Sequence, residues 1–233
     1  MKFVVYRDKT GNSPLISLCL RRQGQIILNR SLGYAQGNTL DGLSNNAQIA
    51  NVDTPVCLFS ASKMITAMLI HLLDESGEIN LLDPVSHYIP EYAQNGKHRA
   101  TIFHLLSHRG GIPRVETEVT PDLLFDKEKI LQELYASKPV AHAGNQLAYH
   151  AVTAGYILGE IIERVTGQDI RQFLHEKIEK PMGMQYFNYG LKPEFRHLVS
   201  QNVSTGLHPT LGTDLYLNRV LGGGLQMAVD VTN

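Results

Sequence analysis

Apolar positions change period along this chain. Leu15 to Leu20 and Ile26 to Leu28 are two short apolar runs joined by the polar turn Arg21-Arg22-Gln23-Gly24-Gln25, a pattern that predicts a β-hairpin. Residues 35–54 are rich in Gly, Asn, Asp, Ser and Gln with no period, and predict a loop. From Ser60 the period becomes helical: Met64, Ala67, Met68, Ile70, Leu72 and Leu73 recur until Gly77, a glycine suited to the position just past a helix end. This helix is apolar nearly all round, so it is expected to be buried.

Shorter helical signals follow. In Leu82-Asp83-Pro84-Val85, Asp83 reads as an N-cap with Pro84 in the first turn, and Tyr88-Ile89-Pro90 ends the element. Thr101 opens another short helix through Leu106, stopped by Gly110-Gly111-Ile112-Pro113. Residues 121–137 predict one helix with Leu123, Leu124, Ile130, Leu131 and Leu134 on its core side. Thr153 to Val165 gives a strong helical stripe closed by Gly167, and Ile170 to Ile178 continues as a further helix ending at Pro181. Neither a linker nor a repeat interrupts the pattern. One domain is expected, with a hairpin and loop over 1–57, a helical lobe over 58–190 and a return segment over 191–233.

The chain has 233 residues, 43% of them hydrophobic and 18% charged, enough for a sizeable core and without a bias toward disorder. Lys and Arg total 21 against 22 for Asp and Glu, so a net charge of -1 offers no basic field for phosphates, and nucleic acid is not an expected partner. Cys19 and Cys57 sit in apolar runs and read as free, buried thiols. His104 and His108 lie four apart and could share a helix face, but no third ligand is in view, so no metal and no cofactor is expected. The start Met1-Lys2-Phe3-Val4-Val5-Tyr6-Arg7-Asp8-Lys9 is charged where a signal peptide needs an apolar core, and no stretch approaches a membrane span. As written the chain is expected in the cytoplasm; an incomplete N-terminus would make it periplasmic or secreted.

Against this background Phe59-Ser60-Ala61-Ser62-Lys63 stands out. A serine hydroxyl attacks a carbonyl only with a base in hydrogen-bond reach, and residues i and i+3 of a helix share a face, so Lys63 can reach the Ser60 oxygen. A helix N-terminus adds free N–H groups and a positive dipole end for an oxyanion. Leu58, Phe59, Met64 and Ile65 are expected to desolvate the lysine and favour its neutral, basic form. The alternative is an N-cap serine beside a surface lysine.

The surroundings of the pair distinguish these. The hairpin ending Leu32-Gly33-Tyr34-Ala35, then Leu58 to Lys63, Glu75-Ser76-Gly77-Glu78-Ile79-Asn80-Leu81-Leu82-Asp83-Pro84-Val85, and Leu105-Leu106-Ser107-His108-Arg109-Gly110-Gly111-Ile112-Pro113 come in one order. Tyr149-His150-Ala151-Val152-Thr153-Ala154-Gly155-Tyr156, Val165-Thr166-Gly167, Pro181-Met182-Gly183-Met184 and Gly222-Gly223-Gly224-Leu225 follow. With its S-x-x-K, this series resembles the serine β-lactamase and penicillin-binding protein superfamily, in its class C β-lactamase-related, esterase-like branch. The resemblance implies an α+β fold of β-lactamase/transpeptidase type: an N-terminal hairpin of an antiparallel sheet plus a large helical lobe.

It further implies Ser60 as nucleophile, Lys63 as the group that takes its proton and Tyr149 as the tyrosine that relays it to the leaving group. Classical lactam-binding members carry Y-x-N, where this chain reads Tyr149-His150-Ala151; alanine cannot make the asparagine's hydrogen bond, so esters rank above β-lactams and D-amino-acid peptides as substrates. His150 is expected either as a substrate contact or in a structural role. His108 is left outside the catalytic set, since no G-x-S-x-G elbow surrounds Ser60. The expected partner is thus a small-molecule ester or amide, with the oligomeric state open. The family's K-T-G or H-x-G strand and last sheet strands belong beyond Asn233, so the sequence reads as C-terminally truncated. A catalytically inactive homologue or ligand-binding module keeping the Ser-Lys pocket is the rival expectation.

Overall fold

A computed structural model describes residues 15–39 and 42–203. The described residues form two units, residues 15–57 with 190–203 and residues 58–189. The block Gly222 to Leu225 lies outside them, as does most of the predicted return segment.

The first unit is a three-stranded antiparallel sheet of β1 (Leu15–Arg22), β2 (Gln25–Thr39) and β3 (Gly42–Ile49), in that spatial order. Arg22 pairs with Gln25 across a two-residue turn in which Gln23 and Gly24 have φ of 51° and 79°. Two successive positive φ values give the turn whose twist matches a hairpin, and Gly24 supplies one without strain. The loop predicted over 35–54 is corrected: β2 runs on to Thr39 and β3 pairs with it, Tyr34 opposite Ile49. Most of β3 is exposed, so its polar, Asn-rich face carries no alternation to read, and the backbone ladder alone defines it. Residues 197–201 return to this sheet, with Gln36 Nε2 donating to the carbonyls of His197 and Val199 at 2.8 and 3.1 Å and Gln201 N–H to that of Ala35 at 2.8 Å. Cys19 is exposed, not buried as expected, and both cysteines are free.

The second unit is helical. A 3-10 turn at Phe59–Ala61 leads into α1 (Ser62–Glu75), followed by α2 (Val85–Tyr88), a kinked 3-10 segment (Pro90–Arg99) and α3 (Ile102–Leu106). Then come α4 (Pro121–Phe125), α5 (Lys127–Ala136), α6 (Thr153–Thr166) and α7 (Ile170–Leu174), which continues into a π turn at His175–Glu179. Leu69, Ile70 and Leu73 of α1 meet Ile157, Leu158 and Ile161 of α6 in one core with Ile102, Leu105, Ile130 and Leu134. Thr101 caps α3 as expected, its Oγ1 accepting His104 N–H and its own N–H donating to His104 Nδ1, both at 3.2 Å.

Three expectations change. Burial of α1 is one-sided: Met64 and Met68, four apart, are exposed. Pro84, not Asp83, is the N-cap of α2, and the Asp83 carboxylate instead accepts the Tyr88 hydroxyl at 2.7 Å. The single helix over 121–137 is split by Asp126, whose extended backbone lets its carboxylate accept Lys129 N–H at 3.1 Å and start α5 afresh.

Polar clamps hold these helices together. Lys127 and Arg164 both pair with Glu160, at 2.8 and 2.7 Å, and Arg164 reaches Glu91, joining α5, α6 and the 3-10 segment. Lys97 is 1% exposed and donates to the carbonyls of Tyr135 and Ser137 at 2.9 and 2.6 Å, while Asn95 takes that of Ala136 at 2.7 Å. The C-terminal carbonyls of α5 are thereby satisfied by a buried cation at the negative end of the helix. Among the described residues, no helix is long and apolar enough to cross a membrane.

Candidate active site

Ser60 lies in the turn just ahead of α1, in an exposed position. Phe59 before it has φ of 46°, an uncommon conformation for a bulky residue that costs about 1–3 kcal/mol and persists only where its surroundings impose it. The Ser62 hydroxyl helps impose it by donating to the Phe59 carbonyl at 2.6 Å.

One helical turn on, Lys63 Nζ donates to Ser60 Oγ at 3.4 Å. The Tyr149 hydroxyl hydrogen-bonds to the same oxygen at 2.5 Å, and Lys63 Nζ stands 5.0 Å from the Tyr149 ring centre. Ser60, Lys63 and Tyr149 are thus brought together from positions 89 residues apart. Partial burial pushes the Tyr149 phenol up, but its hydrogen bonds to Ser60 and Lys63 and the charge of Lys63 outweigh this and hold it below the usual phenol range. Leu58, Phe59 and Met64, expected to wall off the lysine, are exposed instead.

Tyr149 is carried on an irregular stretch between α5 and α6 that the loop after α3 braces. Gly111 O accepts Val140 N–H at 2.9 Å, Arg109 O accepts Gly144 N–H at 2.9 Å, and Arg109 Nη1 donates to Gly144 O at 3.0 Å. Gly111 has φ of 85°, and a Cβ there would sit 2.5 Å from Ala141 O, so only glycine lets the two strands of chain approach.

His150 belongs to this brace. The expectation of a substrate contact is corrected: its side chain is 1% exposed, with Nδ1 against Ala148 O at 2.6 Å and Nε2 accepting Ile112 N–H at 3.2 Å. A carbonyl can only accept, so Nδ1 carries the proton and the ring is neutral; burial pushes its pKa down to about 4. Nor do His104 and His108 share a helix face, because α3 ends at Leu106 and His108 follows it with φ of 58°. His108 packs its ring on Tyr149 at a centroid distance of 4.7 Å, a contact that sequence reasoning missed. The glycine pair after it was the available signal, since it marks a tight turn beside a second chain segment.

The beta-lactamase family model matches residues 3–232. Esterase/beta-lactamase LipL of Mycobacterium tuberculosis is 32% identical over 143 residues, 61% of this chain and 33% of LipL. Among solved structures, a penicillin-binding protein homologue from Caulobacter crescentus superposes with a TM-score of 0.77 at 27% identity, over 90% of this chain and 54% of that one. A family VIII carboxylesterase does so with a TM-score of 0.76 at 29% identity, over 85% and 53%. The chain therefore spans a third of LipL and just over half of the two solved chains.

Proposed function

The chain belongs to the beta-lactamase family, and on that premise we propose that it is a serine hydrolase that cleaves carboxylic esters through an acyl-enzyme on Ser60. The observation that carries this reading is the convergence of two groups on one oxygen, Tyr149 at 2.5 Å and Lys63 at 3.4 Å from Ser60 Oγ. The shorter contact and the lowered phenol support Tyr149 as the immediate proton acceptor, with the Lys63 charge stabilising the phenolate.

With Tyr149 ionised to the phenolate, Ser60 Oγ forms the bond to the ester carbonyl carbon as its proton passes to the phenolate oxygen, leaving the carbonyl oxygen as the oxyanion. In this scheme the developing oxyanion is taken by the backbone N–H of Ser60, in the 3-10 turn just ahead of α1. When the tetrahedral adduct collapses, the bond to the alcohol oxygen breaks and Tyr149 returns the proton to that oxygen. Water, deprotonated by the same tyrosine, then cleaves the acyl-enzyme and restores the serine.

Ala151 supports esters over β-lactams and D-amino-acid peptides, since it offers no side-chain amide to the substrate. The name of the family VIII carboxylesterase supports the same choice, whereas that of LipL covers esters and β-lactams alike.

A chromogenic short-chain ester and a fluorophosphonate label, applied to the parent and to Ser60→Ala, test the reading. The substitution is expected to abolish labelling and to lower turnover roughly a thousandfold or more. Equal labelling and turnover in both proteins would overturn the proposal, and labelling without turnover in the parent would replace it with a ligand-binding module.

A further inference from the structure

We propose that His108 is a positioning residue for Tyr149, holding the phenol against Ser60 by pinning the peptides on both sides of it and packing on its ring. The inference rests on the reading of Ser60 and Tyr149 given above. His108 O accepts the N–H of Ala148 at 2.9 Å, and His108 Nδ1 accepts the N–H of His150 at 3.2 Å. The residues before and after Tyr149 are therefore tied to one residue, and the ring contact at 4.7 Å restrains what freedom the side chain keeps.

The backbone of His108 is bent to this task. Its φ of 58° lies in the left-handed region, uncommon for non-glycine residues though histidine enters it more readily than most, and the bonds of His108 N–H to Leu105 O at 3.1 Å and of Arg109 N–H to His104 O at 2.6 Å hold it there. An Nδ1 that accepts must be unprotonated, which places the proton of the neutral ring on Nε2. The titratable groups facing the ring are Lys63, Tyr149 and His150, the last stacked at 5.8 Å. Burial and the Lys63 charge hold His108 below the usual histidine range, in the form that can accept.

Asparagine tolerates the same φ and offers an oxygen acceptor, so His108→Asn keeps the bond to His150 N–H, whereas His108→Ala loses it together with the ring. The test follows the Tyr149 phenol by NMR of the full chain carrying 13C-labelled tyrosine, with Tyr149→Phe assigning the resonance, beside ester kinetics. In His108→Ala the Tyr149 titration is expected to move up toward the ordinary phenol value, and kcat to fall about tenfold with KM within about twofold. His108→Asn is expected to restore the titration and to bring kcat within about threefold of the parent. In the background of Tyr149→Phe, His108→Ala is expected to add no further loss, because it acts through the missing hydroxyl.

A parent-like Tyr149 titration in His108→Ala, or losses that multiply in the double variant, would overturn the proposal. Should His108→Ala fail to fold, His108→Asn decides: a titration and kcat near the parent support positioning, and a tenfold loss refutes it. The NMR arm needs no turnover, so it stands or falls separately from the dependence of hydrolysis on Ser60.

Discussion

Protonating His150 should unlock the segment that carries Tyr149, and the size of the effect follows from the ring's surroundings. The neutral ring donates from Nδ1 to Ala148 O and accepts at Nε2 from Ile112 N–H. A second proton would set a donor against that N–H in a site only 1% exposed. Burial is the main cause that lowers the ring from 6.5 to about 4; the Ala148 carbonyl opposes it and His108 adds to it. Between these values the unfolded chain binds a proton that the folded chain refuses, so stability is complete above about 6.5 and declines as the pH falls toward 4. At ~1.4 kcal/mol per pH unit the loss is about 3 kcal/mol, a large part of the ~5–15 kcal/mol that holds a typical domain together. His150→Gln keeps an acceptor for Ile112 N–H and removes the titration. Urea unfolding followed by far-UV circular dichroism from pH 4 to 8 is expected to show the parent losing about 3 kcal/mol more than this variant across the interval. His108, lowered by burial and by Lys63, titrates in the same direction but is present in both proteins. Parallel pH profiles would refute the reasoning.

Gly111→Ala places a methyl 2.5 Å from Ala141 O at a φ of 85°, and is expected to cost about 1–3 kcal/mol in thermal unfolding and to lower ester turnover with it, since the same loop braces Tyr149. Glu160→Gln removes the shared partner of Lys127 and Arg164 and is expected to cost about 1–3 kcal/mol in urea melts at pH 7. Burial raises the Glu160 carboxyl, but the hydrogen bonds and charges of Lys127 and Arg164 outweigh it and hold it below the usual carboxylate range. Its contribution is therefore full above the unfolded value and lost as the pH falls through the folded one, so parent and variant should converge in acid.

Helices that owe their existence to an apolar stripe were legible. The stripes of α1 and α6 and the glycines that close them are visible in sequence because burial of one face requires the 3.6 period. Where backbone bonding decides, the signal fails: β3 is a strand because β2 lies beside it, and Asp126 splits a helix because its carboxylate finds Lys129 N–H. The site divides in the same way. Ser60 and Lys63 are linked by spacing along one helix, whereas Tyr149 comes to Ser60 through a loop whose bonds leave no periodic trace. His150 was half-legible, since its type suggests chemistry while only its buried surroundings reveal that both nitrogens serve the backbone.

That contrast bears on how an exposed site stays ordered. Ser60 is exposed, and Tyr149 retains 42% of its surface, so apolar burial contributes little to fixing either side chain. Burial is instead applied one layer below, where His150 and Thr153 bond both sides of the Ile112 peptide, at 3.2 Å to its N–H and 2.6 Å to its carbonyl. Those bonds lie in a water-poor region, where an unmade partner costs about 1–3 kcal/mol, so they resist opening far more than a surface contact does. The loop from His108 to Ile112 passes this rigidity outward, through His108 to the peptides flanking Tyr149. The Ser60 and Tyr149 oxygens can therefore face solvent, as the proposed ester cleavage requires, while the loop beside Tyr149 is anchored by the buried polar groups of His150 and Thr153.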